Sequence, residues 1–92
     1  MEANNLKSRD NGTKFVSSLE DAILEATEND TGCFHHYSGN DIAIGHSSGR
    51  YTIWLIGKGD GNNIQLGSVI DSLKWKNLTL AIGQLIYCCF VR

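Results

Sequence analysis

The chain has 92 residues, 41% of them apolar and 20% charged, and a formal net charge of −2. That length allows one domain with a modest core, and the small negative charge excludes an electrostatic nucleic-acid binder as well as an acidic mimic of one. No positively charged start leads into an apolar stretch and no apolar run is long enough to span a bilayer, so the sequence reads as cytoplasmic.

Residues 1–14 hold Asn, Lys, Ser, Arg, Asp and Gly around a lone Leu6. So little apolar surface cannot offset the entropy of ordering, which predicts a flexible N-terminal arm ahead of a single α+β domain over 15–92. Ser17 and Glu20 have the spacing of a capping box. Leu19, Ala22, Ile23 and Ala26 then recur at i, i+3, i+4 and i+7, predicting an amphipathic helix over about 18–28. Acidic Glu20 and Asp21 suit its first turn, and Asn29 and Gly32 supply the stop.

From Cys33 to Ile56 three strand-like runs are separated by Gly39-Asn40 and Ser48-Gly49, which predicts a three-stranded antiparallel meander over about 33–56. Two-residue loops would set Ser38 opposite Asp41 and Ser47 opposite Arg50. One face then carries Cys33, His35, Tyr37, Ile42, Ile44, His46, Tyr51, Ile53 and Leu55. The other carries Phe34, His36, Trp54 and Ile56. After the glycine-rich loop Gly57–Asn63, the spacing of Leu66, Val69, Ile70 and Leu73 predicts a short second helix over about 68–75. The tail over 78–91 has a helical stripe (Leu78, Ala81, Ile82, Leu85, Ile86), but Leu80, Tyr87, Cys88, Phe90 and Val91 are apolar as well. A helix apolar all round is hard to bury in so small a protein, so two C-terminal strands broken at Gly83-Gln84 are expected.

Three cysteines, two of them adjacent, suit reduced and mostly buried thiols in a reducing compartment better than a disulfide framework. In the expected register Cys33, His35 and His46 share a face, a thiolate and two imidazoles that suit zinc, although their spacing matches no zinc motif. His36 can be grouped with a cysteine and Asp41, but residue types without geometry do not make a catalytic triad, and no catalytic residues and no cofactor are expected. Lys58, Asp60 and Asn62 lie in a loop whose backbone could cradle a phosphate, with Tyr51 or Trp54 stacking on a base; the loop lacks the P-loop pattern. Phe34, His36, Trp54, Ile56 and Trp75 are aromatic or apolar residues of the kind that dominate protein interfaces.

The leading expectation is therefore a small non-enzymatic interaction protein of the inhibitor, immunity or viral accessory type. It would bind and inhibit or sequester a protein partner and self-associate as a homo-oligomer, without a membrane or nucleic acid. The alternatives are a sequestering protein for a small phosphorylated or nucleotide ligand, and a small metal-supported domain.

Overall fold

The computed structural model describes residues 15–37, 39–57 and 63–90, the Phe90 side chain excepted. The fold is α+β. Strand β1 (Phe15–Val16) leads into helix α1 (Leu19–Asn29) and strand β2 (Thr31–His35); strands β3 (Asp41–Ser47), β4 (Arg50–Ile56) and β5 (Asn63–Ile70) follow, and helix α2 (Trp75–Phe90) ends the order. The sheet is five-stranded in the order β1-β2-β3-β4-β5. It is mixed: β1 runs parallel to β2, while the remaining neighbours are antiparallel. The arm expected over 1–14 lies outside the described residues.

Helix α1 is the crossover between the parallel strands β1 and β2. Ser18 caps it, the hydroxyl accepting from Asp21 N at 3.2 Å, so the cap pair is one residue later than the expected Ser17 and Glu20. Ser17 Oγ instead donates to the Asp21 carboxylate at 3.0 Å. The helix stops at Asp30, whose left-handed backbone (φ 73°) lets its N–H reach Ala26 O. Ala22, Ile23 and Ala26 are buried, and small residues bring the helix close to the sheet. An ideal Cβ on Gly32 of β2 would collide with the Ala22 carbonyl oxygen.

The first hairpin departs from the expected register. Its last ladder pair is His35 with Asp41, so the loop spans 36–40 rather than Gly39-Asn40. His36 N donates to Asn40 O at 2.7 Å and Gly39 N to His36 O at 2.9 Å. Cys33 therefore faces Ala43 instead of His46. A shift of three is odd, so every β2 side chain changes face. Phe34 turns toward the helices and joins the core, and Gly32 lies beneath Ala22; Cys33 and His35 turn away. The second hairpin pairs Ser47 with Arg50, and its loop residues Ser48 and Gly49 both have positive φ (53° and 77°), the backbone that a two-residue hairpin loop requires.

Two further expectations are corrected. The segment expected as a helix over 68–75 is the end of β5, a turn and the first residue of α2. A bulge opposite Ile53 and Trp54 leaves Leu66 as an extra residue, so Leu66 and Val69 face the helices three residues apart, a spacing that imitates a helical stripe although Ile70 points to the other face. The tail expected as strands is α2. Its stripe Leu78, Ile82 and Ile86 is buried, while Leu80 and Tyr87 remain more than half exposed. Apolar residues need not all be buried, so an apolar outer face does not exclude a helix.

Both helices cover one face of the sheet. Their buried residues form a single cluster with Phe34, Ile42, Ile44, Tyr51, Ile53 and Val69. On the opposite face a smaller cluster of Cys33, Ala43 and Ile56 lies under Trp54. Among the described residues no helix is long and apolar enough to cross a membrane.

Candidate functional site

A pocket of about 440 Å³ opens where the N-terminus of α1, the end of β2 and the C-terminal half of α2 meet. Its position follows from elements already described. Phe34 reaches it because the first hairpin turns that residue toward the helices. His36 and Tyr37 reach it because they leave the ladder after His35. Gly83, Ile86 and Tyr87 come from α2, with Gly83 and Tyr87 four residues apart on neighbouring turns. Ser17, Ser18 and Leu19 close the side formed by α1.

The floor is apolar, made of Leu19, Phe34 and Ile86. The rim is aromatic and mixed. The His36 ring lies 4.2 Å from that of Tyr37 and meets Phe34 edge-on at 6.3 Å. Tyr37 is 91% exposed and Tyr87 57%. Partial burial holds the pKa of His36 below its ordinary value of 6.5, so the ring is neutral at pH 7. The α1 N-terminus beside it is already occupied, since Ser18 caps it and Glu20 and Asp21 stand in its first turn. No buried polar or charged side chain occurs among the described residues. Such a pocket suits an apolar or aromatic group with a few hydroxyls and backbone groups at its edge.

Of the residues singled out for partner binding, Phe34 and His36 meet in this pocket. Trp54 and Ile56 lie on the opposite face of the sheet, Ile56 buried and Trp54 packed over it, and Trp75 is a partly exposed residue at the start of α2. Tyr51 is in the core. Because Thr27 Oγ1 donates to Ile23 O, the Tyr51 hydroxyl donates to Thr27 Oγ1, at 2.7 Å. Lys58, Asp60 and Asn62 lie outside the described residues.

The trio Cys33, His35 and His46 is taken apart by the flipped register. His46 stays on the helix side, stacked on Tyr51 at 4.5 Å, and its Nε2 donates to Asp71 at 2.8 Å. That contact ties the β3–β4 hairpin to the turn before α2. His35 stacks on Phe15 at 4.4 Å and its Nδ1 lies 2.6 Å from Asp41 Oδ1. Among the described residues no three His, Cys, Asp or Glu side chains gather as a metal site. Cys33 is buried, Cys89 half-buried and Cys88 exposed, and none of the three is in a disulfide.

Sequence reasoning missed Leu19, Gly83, Ile86 and Tyr87 as neighbours of one pocket. Gly83 was the available signal: a glycine inside an otherwise continuous helical stripe marks either a break or a place kept clear. Comparison of the chain with protein-family models, curated proteins and solved structures gives no match.

Proposed function

We propose that the protein is a small non-enzymatic binding module that captures a protein partner by seating one large apolar or aromatic side chain of that partner between α1, β2 and α2. The observation that carries this is Gly83. Glycine inside a helix costs about 1 kcal/mol relative to alanine. Nothing nearby requires it sterically, because a Cβ there would meet only Leu19 Cδ2 at 4.0 Å, an ordinary contact. Its missing side chain keeps the pocket open.

The surroundings support the same reading. Exposed Tyr37 and Tyr87 stand on the rim, and aromatic rings around an apolar pocket are characteristic of the few residues that dominate protein interfaces. A polar metabolite would need buried hydrogen-bonding groups to fix its orientation, which the apolar floor does not offer. Blocking a partner's own contact surface in this way would make the module an inhibitor or sequestering factor.

The test compares immobilised native chain with two variants. Tyr87→Ala should weaken retention of a partner by about fivefold or more, the loss of about 1 kcal/mol that marks an anchor residue. Thr52→Ala, on the opposite face of the sheet, should leave it unchanged. Equal retention by native chain and Tyr87→Ala would remove the pocket from the binding surface.

A further inference from the structure

Strand β5 has β4 as its one strand neighbour among the described residues. Among the described residues no strand pairs with the outer backbone groups of its eight residues. Edges of this length are usually blunted by lysine, proline or a short strand. Asn63–Ile70 contains neither a charge nor a proline, and its bulge does more than bend it.

Gly67 stands opposite Ile53 and Gln65 opposite Trp54, with Leu66 the extra residue between them. Leu66 packs against the main core, and a Cβ on Gly67 would approach Leu85 Cδ2 of α2 to 2.8 Å. Both therefore face the helices. Reading from Asn63 to Ile70, side chains point away, to the helices, away, to the helices, to the helices, away, to the helices, away. That order is a palindrome about the Leu66–Gly67 bond, and a regular eight-residue strand cannot have it.

We infer that the chain forms a two-fold dimer in which β5 pairs antiparallel with β5 of a second copy, joining the two sheets into one. The palindrome sets the register: Asn63 opposite Ile70, Ile64 opposite Val69, Gln65 opposite Ser68, Leu66 opposite Gly67. In each pair the two side chains lie on the same face, as antiparallel neighbours must. Apolar Ile64 meets Val69, polar Gln65 meets Ser68, and the bulky Leu66 meets the residue without a side chain. Without the bulge the same register would set every side chain against one from the other face.

Charge points to a second copy rather than a foreign strand. Between Asn63 and Phe90 the charged residues are Asp71, Lys74 and Lys76 alone, so a surface made twice from this segment brings little like charge together. Helix α2 adds to the contact. Leu85 lies over Gly67, and Ala81 and Cys88, at i−4 and i+3 from it, fall on the same flank. Two-fold pairing of β5 sets the two α2 helices on either side of the axis, each with this uncharged flank toward the other. Ile64, 58% exposed in the single chain, becomes covered. The pocket between α1, β2 and α2 is a separate surface, and binding there does not depend on this dimer.

Sedimentation equilibrium of the full chain tests the inference. The native protein should give twice the 10.1 kDa chain mass. Ile64→Lys, with unchanged circular dichroism, should give the single mass, its dissociation constant raised about a hundredfold or more because the lysine would be desolvated opposite Val69. Register is read independently, and remains readable if Ile64→Lys does not fold. In a Cys88→Ser, Cys89→Ser background, chains carrying Gln65→Cys and chains carrying Ser68→Cys should form a disulfide-linked dimer when mixed and none when kept apart. A native chain that stays monomeric at the highest attainable concentration would overturn the inference, as would a mixture that yields no 65-to-68 cross-link.

Discussion

Two glycines show how one residue type can carry opposite consequences. At Gly32 a methyl group has no room, because the Ala22 carbonyl oxygen occupies the Cβ position. Gly32→Ala should lower unfolding free energy by about 3 kcal/mol, the upper part of the range for overpacking a core; a denaturant midpoint close to that of the native chain would show that α1 does not sit there. At Gly83 there is room, and Gly83→Ala should raise stability by up to about 1 kcal/mol while narrowing the pocket. His36 gives a pH signature. Burial lowers its pKa below 6.5, so the unfolded chain takes up a proton before the folded chain does. The stability this contributes is complete above pH 6.5 and is lost as pH falls through the lowered value. Thermal melts of His36→Gln should therefore lose less on acidification below pH 6.5 than melts of the native chain; identical losses would show that the ring is not desolvated.

At the scale of elements, legibility followed how directly local spacing reports structure. Helix α1 was readable because Leu19, Ala22, Ile23 and Ala26 lie on the face that packs, and because the start carries Ser17, Ser18 and two acids. Ser18→Ala should cost about 1 kcal/mol in unfolding free energy, whereas Ser17→Ala should cost less, since the cap hydrogen bond belongs to Ser18; equal costs would move the cap. The Ser48-Gly49 hairpin was readable because the loop itself fixes its pairing. The first hairpin was not, because its register is set by Phe34 and Gly32 fitting beneath α1, a contact between segments that local turn residues do not encode. Strand β5 was misread through its bulge, and α2 through the expectation that Leu80, Tyr87 and Cys88 need burial. The candidate site inherited those errors. Phe34 and His36 were singled out from the sequence and both line the pocket, but their neighbours Gly83, Ile86 and Tyr87 could not be placed while the tail was taken for strands.

At the scale of the whole molecule, the pocket follows from how the two helices sit on the sheet. The helices lie on one face of the sheet and are joined through a continuous cluster, and the pocket opens beside Leu19 and Gly83, where α1, β2 and α2 meet. The central claim is that this pocket accepts an apolar or aromatic side chain, and the most direct measurement is a ¹H–¹⁵N correlation titration with indole and p-cresol, which imitate tryptophan and tyrosine side chains. Saturable shifts should be confined to the amides of Ser18, Leu19, Phe34, His36, Gly83 and Ile86, and should vanish in Gly83→Leu, whose added side chain fills the space. Shifts that are absent, spread over the whole spectrum or unchanged in Gly83→Leu would contradict the claim.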